Sequence, residues 1–156
     1  MEFSEAKPGR IFVIRLHDGE ILHDEIEGFA KQHSILEAGL IAVGGADEAS
    51  RLVVGPRAGR SEPVTPIECV LEGVHEIAGI GTIFPNEKGE PILHMHVAAG
   101  RERSTITGCV RRGVRIWHVL EIVLFELVGA RSTRVLDWKT GFELLRANYG
   151  KETLSD

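Results

Sequence analysis

The segment Val119-Leu-Glu-Ile-Val-Leu-Phe-Glu-Leu127 constrains this chain more than any other. Its β-branched and aromatic residues, with no Gly or Pro, read as a strand. Successive side chains of a strand point to opposite faces. Here Val119, Val123, Phe125 and Leu127 line one face and Leu120, Ile122 and Leu124 the other. A strand apolar on both faces must be covered on both. The chain therefore has to place it inside a sheet, with a helix on one side and a second layer, such as another subunit, on the other. Glu121 lies within it and, if buried, needs a partner.

The rest of the chain supplies such a sheet. Gly9–His17 reads as a first strand closed by the turn dipeptide Asp18-Gly19. Glu20–Ile35 follows as an amphipathic helix, with Ile21, Leu22, Ile26, Phe29 and Ala30 on its apolar side. Ala38–Ala46 is a buried strand running into Gly44-Gly45, which reads as a bulge or tight corner. Strands also follow at 48–55, 66–72 and 74–84, with Gly79 and Gly81 of the last predicting a close backbone approach or a bulge. Residues 56–66 carry three prolines and form a loop. Pro91–Ala99, Ser104–Val110 and Val114–Leu127 read as three further strands. Ser132–Leu136 adds a short one, Asp137–Ala147 reads as a C-terminal helix, and the last residues are expected to fray. The predicted fold is α+β: a mostly antiparallel sheet, one helix after the first strand and a helix at the C-terminal end. The 156 residues are read as one domain.

Chemistry concentrates at His94-Met95-His96. On a strand, residues two apart share a face about 6.6 Å apart, so both imidazoles can lean towards one ion. A hairpin centred between Arg101 and Glu102 puts His94 opposite Cys109. A second, centred on Arg112-Gly113, puts Thr107 opposite His118 and Cys109 opposite Ile116. His94, His96, Cys109 and His118 then share one face of a three-stranded meander, and a one-residue slip would remove Cys109 from it. Two His nitrogens and a thiolate are good Zn²⁺ ligands, and three protein ligands leave one position open. His118, two strands and roughly 10 Å from His96, is expected to be an outer partner, or a fourth ligand if the sheet curls. Met95 points away, which argues against a blue-copper set. No Cys-x-x-Cys is present, as a zinc deaminase requires.

Composition narrows the partners. Eighteen basic residues against 23 acidic ones leave a net charge of −5, little help to phosphate-driven nucleic-acid binding. Arg101, Arg103, Arg111, Arg112 and Arg115 cluster at the two turns and read as solvated hairpin tips, or as a local DNA-binding patch. Two cysteines make no disulfide framework, no apolar run is long enough to span a membrane, and no signal-peptide pattern opens the chain. The expected location is the cytoplasm.

Several short motifs then line up in order: Gly-Arg-Ile-Phe-Val-Ile-Arg-Leu, Asp-Gly-Glu, Ala-Val-Gly-Gly-Ala, Glu-Gly-Val-His-Glu-Ile, His-Met-His, Thr-Gly-Cys-Val and Leu-Glu-Ile. Together they resemble the PPC family, the plant and prokaryote conserved domain, over about residues 9–127, leaving 128–156 as an extension. The resemblance implies an α+β homotrimer. In plants such domains are joined to AT-hooks and act in gene regulation, whereas this chain lacks the Arg-Gly-Arg core of an AT-hook. Stand-alone members carry a His-x-His strand and a Gly-Gly-His-Leu-like segment associated with metal. His94 and His96 match the first, while Thr107-Gly108-Cys109-Val110 has cysteine where the third histidine is usual. The reading is a trimeric metal-binding protein with a His94/His96/Cys109 zinc site open to a small ligand. Glu68, Glu72, Glu76 and His75 are candidate assistants, and whether it is an enzyme stays open. Its alternatives are a DNA-binding or regulatory module and a trimeric scaffold with a structural metal.

Overall fold

The computed structural model describes residues 1–60 and 62–147; the C-terminal residues expected to fray, 148–156, lie outside them. The elements run β1 (Lys7–His17), α1 (Leu22–Gln32), β2 (Ala38–Ala46), β3 (Arg51–Pro56), β4 (Pro66–Val70), β5 (His75–Pro85), β6 (Pro91–Arg101), β7 (Ser104–Cys109), β8 (Ile116–Val128), β9 (Ser132–Asp137) and β10 (Phe142–Ala147). Eight strands form an antiparallel sheet in the order β1-β8-β2-β5-β6-β7-β3-β4, and β9 and β10 form a separate hairpin. The doubly apolar strand β8 lies inside the sheet, between β1 and β2.

Side-chain parity sorts the sheet into two faces. One row runs Phe12–Leu124–Leu40–Gly81–Met95 and the next Ile14–Ile122–Ala42–Gly79–Val97. These rows form the core, with Met95 and Leu124 fully buried. Helix α1 covers this face with Leu22, Ile26 and Ala30, one turn apart and fully buried. It is also tied to β6 directly, since the Leu93 amide donates to the Glu27 carboxylate at 2.8 Å. The glycines of β5 make the room. A Cβ on Gly79 would lie 2.5 Å from Met95 Cε and 2.6 Å from Val97 Cγ1, and one on Gly81 2.8 Å from Met95 Cβ.

The bulge expected at Gly44-Gly45 is present. The β2–β8 register jumps there from Gly44↔Leu120 to Gly45↔Trp117, and a Cβ on Gly45 would stand 2.7 Å from the Trp117 carbonyl oxygen. The bulged residue opposite, His118, has φ 57° and donates its amide to the Asp18 carboxylate at 2.7 Å. Glu121 is exposed rather than buried in the single chain.

Three expectations need correction. The β6–β7 turn is centred between Glu102 and Arg103, with Arg101 opposite Ser104, so Cys109 faces His96 and not His94. Moving the centre by one residue moves each partner by two, and parity survives. Next, β7 does not continue into a hairpin with β8: its other neighbour is β3, through Val53↔Cys109. A 13-residue strand apolar on both faces finds matching partners in the 11-residue β1 and 9-residue β2, not in the 6-residue β7. The connection is drawn to the start of α1, where the Leu22 amide donates to the Val114 carbonyl and the Ile116 amide to the Glu20 carbonyl. Finally, the expected C-terminal helix is the β9–β10 hairpin. Trp138, Phe142 and Leu145 have helical spacing, but Asp137 closes a turn instead, accepting from Thr140 Oγ1 at 2.7 Å and, through its carbonyl, from the Gly141 amide. Gly141 has φ 74°, a conformation that ends a helix. Entry to the hairpin is held by Glu37, whose carboxylate accepts the amides of Ala130 at 3.0 Å and Ser132 at 2.9 Å.

The fit of β6 over the β5 glycines carries a prediction. Gly79→Ala should destabilise the fold by about 1–3 kcal/mol through overpacking against Val97 and the His96 carbonyl. Chemical denaturation giving wild-type stability would show that β6 is not held this closely.

Candidate metal centre

With Met95 and Val97 directed into the core, His94 and His96 point to the other face of the sheet. Two rows cross that face, Val13–Val123–Ile41–Ile80–His96–Cys109 and Ile11–Phe125–Gly39–Thr82–His94. Cys109 is brought to the end of the first row by Gly108. A Cβ at Gly108 would lie 2.7 Å from the Val53 carbonyl, so its absence lets β3 close on β7. His94, His96 and Cys109 each direct a ligand atom into a group whose members all lie within 4.8 Å of one another. The two Nε2 atoms are 3.2 Å apart. Two nitrogens at about 2.05 Å from a tetrahedral zinc are about 3.3 Å apart, so the imidazoles already stand at the spacing such an ion needs. Cys109 is buried, and neither it nor Cys69 forms a disulfide.

Electrostatics favour the ligand form of His94. His94 is held down at about 4, first by burial and then by the charges of Arg134 and Arg111. It is therefore neutral, with a lone pair available, throughout the physiological range. Arg111 Nε donates to Cys109 Sγ at 3.2 Å, the type of contact that steadies a thiolate. Arg134 is 4 % exposed. It donates from Nη2 to Thr82 Oγ1 at 3.1 Å, directly across from His94 in the pair Thr82↔His94. Its own pKa is lowered by burial and by Arg111.

The other named residues lie elsewhere. Strand β8 is separated from β6 by β2 and β5, so the meander that brought His118 to the cluster does not exist; His118 packs on Trp117, ring centroids 4.3 Å apart. Glu68 is engaged with Arg112 at 3.0 Å and Arg51 at 3.5 Å. Glu76 faces Gly100, four residues along β6 from His96. His75 is buried with Nδ1 3.0 Å from the Gly73 carbonyl. Of the arginines at the turns, Arg101 donates to the Val74 carbonyl and Arg115 reaches the Gly19 carbonyl. Arg134 was missed by sequence reasoning, although the alternation from Ser132 places it on the inward parity of its strand. None of the described helices is long and apolar enough to cross a membrane.

Residues 3–128 match the family model of the Plants and Prokaryotes Conserved (PCC) domain. Among solved structures, a metal-containing protein from Archaeoglobus fulgidus superposes with a TM-score of 0.79 at 23% identity, covering 92% of this chain and 98% of that one. A plant- and prokaryote-conserved protein from Pyrococcus horikoshii gives 0.74 at 24% identity, covering 97% and 99%. At these identities the likeness shows a shared fold. The bifunctional protein GlmU of Synechococcus sp. (strain JA-3-3Ab) is 30% identical over 136 residues, 85% of this chain. The chain spans only about a fifth of that relative's length.

The depressed His94 value has a measurable consequence. In metal-free protein the His94 imidazole should titrate near pH 4 by NMR, and a midpoint near 6.5 would refute the electrostatic description. Because the folded value lies below the unfolded one, the unfolded chain takes up the proton first as pH falls. Stability should therefore decline from pH 6.5 towards 4, and His94→Gln should remove that component.

Proposed function

This chain belongs to the Plants and Prokaryotes Conserved domain family, and on that premise we propose that it is a homotrimeric metal-binding protein whose ion, zinc by the donor set, is held by His94, His96 and Cys109. The observation that carries this reading is the convergence of two imidazoles and a thiol within 4.8 Å, one imidazole already neutral. A zinc ion bound there by three protein ligands would supply a Lewis-acidic open position for a small ligand. The chain's own contribution is to fix the donors: β6 aims the histidines, Gly108 seats the cysteine, and Arg111 steadies the sulfur.

The trimer reading draws support from the face on which the cluster lies. Val13 (83 % exposed), Ile80 (73 %), Ile11, Val43, Ile41 and Phe125 form a contiguous apolar surface across β1, β8, β2 and β5. A patch of this kind marks an interface. A second copy of the chain would cover the outer face of β8, as its two apolar faces require. A DNA-binding role draws less support. The chain is acidic, and Arg101, Arg111, Arg112 and Arg115 are each engaged within the fold.

Elemental analysis of the purified protein should find about one zinc per chain. His94→Ala and Cys109→Ser should lose stoichiometric metal, whereas Cys69→Ser should keep it; full retention in the first two would sink the assignment. Ile80→Asp should convert the trimer to monomer in native mass measurements by placing a charge in the apolar face. An unchanged trimer would move the interface elsewhere.

A further inference from the structure

The candidate metal donors are accompanied by a second group that a metal does not account for. Arg134 and Arg111 flank the donors from opposite sides, Arg134 at Thr82 on β5 and Arg111 at the sulfur beyond the end of β7. Buried arginines are ordinarily paired. Arg134 is buried and Arg111 is exposed; among the described residues neither has a carboxylate within salt-bridge distance, and the buried Nε of Arg134 has no hydrogen-bond partner. Glu143 on β10 is the acidic side chain whose charge reaches Arg134, and it is exposed and forms no ion pair with it. The Arg134 guanidinium also lies over the Phe84 ring, 5.9 Å from Cζ to the centroid. That ring packs the arginine in place without neutralising it.

A buried guanidinium with no carboxylate beside it, as at Arg134, is unfavourable unless something negative joins it. A thiolate at Cys109 offsets one charge, and a divalent ion adds two more. Guanidinium presents its N–H groups in a planar fork matched to carboxylate and phosphate oxygens.

We propose that Arg134 and Arg111 form the anion-holding half of a ligand site whose other half is the His94–His96–Cys109 group, and that the site takes a small molecule through a carboxylate or phosphate group. This rests on the metal reading above and goes beyond it by naming the chemical class of the ligand. With a metal ion held by His94, His96 and Cys109, its Lewis-acidic open position and the guanidinium N–H groups of Arg134 and Arg111 would share the anion's oxygens. Arg134 belongs to β9, so the hairpin that follows the family-matched segment completes the site.

The test uses the full-length protein loaded with Co²⁺, whose thiolate charge-transfer band reports ligation by Cys109 and whose ligand-field bands report the open position. Inorganic phosphate, titrated at matched ionic strength against chloride, should give a saturable change in the ligand-field bands. Arg134→Gln should weaken that binding at least about tenfold, the effect of one charge-assisted contact, with cobalt content and the charge-transfer band unchanged. Cobalt uptake with no saturable phosphate effect, or equal affinity in wild type and variant, overturns the proposal and leaves the metal reading standing. Failure to take up cobalt removes the metal reading. Calorimetric titration of the metal-free protein with phosphate then decides the arginine pair alone, where binding lost in Arg134→Gln supports it and no binding overturns it. If Arg134→Gln does not fold, Arg111→Gln is compared with wild type by calorimetric phosphate titration of the metal-free proteins, where its contact with the metal-donor sulfur does not enter: weakened phosphate binding supports the proposal and unchanged binding overturns it.

Discussion

The close approach of β6 to the glycines of β5 is the constraint on which the rest depends. Met95 and Val97 occupy the volume that side chains at 79 and 81 would otherwise fill. Because alternate residues of a strand face opposite ways, burying Met95 and Val97 obliges His94 and His96 to leave the core together. The pair is thus presented by the packing beneath it and needs no local distortion of its own strand. Helix α1 reinforces the arrangement from the core side, through its buried stripe and through Glu27 on the Leu93 amide. A core contact and a candidate metal centre are here two sides of one strand.

On the outer face, charge takes over from packing. The neutral His94, the thiol of Cys109 and the guanidiniums of Arg111 and Arg134 act on one another within a small volume. Burial first, and then the positive charge of the arginines, discourages protonation of His94 and keeps its lone pair available. The same excess of positive charge is what an anionic ligand would relieve. The apolar rows of β1, β8, β2 and β5 run up to this polar cluster, with Ile80 directly beside His96, so an oligomer built on that face would also wall the site.

Much of this was legible in the chain, and the misses are instructive. Parity put His94, His96 and Cys109 on one face although the turn centre was misplaced by one residue, because partners then shift by two and the face is conserved. The Gly44-Gly45 bulge and the crowding at Gly79 and Gly81 were readable because glycine reports what its neighbours would collide with. His118 was drawn to the cluster by assuming that consecutive strands pair. Strand β8 instead chose β1 and β2, the neighbours able to bury its apolar residues, and the bulge at Gly44-Gly45 turned His118 towards Asp18. The C-terminal hairpin was mistaken for a helix because Trp138, Phe142 and Leu145 repeat at helical spacing, while the Asp137–Thr140–Gly141 turn that separates its strands is set by a few local hydrogen bonds.

By itself the sequence determined which residues can ligate a metal, which face of their strands they share, and that one strand must be covered on both sides. These follow from the two-residue period of the extended chain, a local property that survives errors of register. Tertiary structure alone decided which strands are neighbours, that His118 stays away, and that Arg134, forty residues beyond His94 in the chain, arrives buried beside it. Strand order is settled by non-local burial, the competition among faces for apolar cover, and no periodicity within a segment records its outcome.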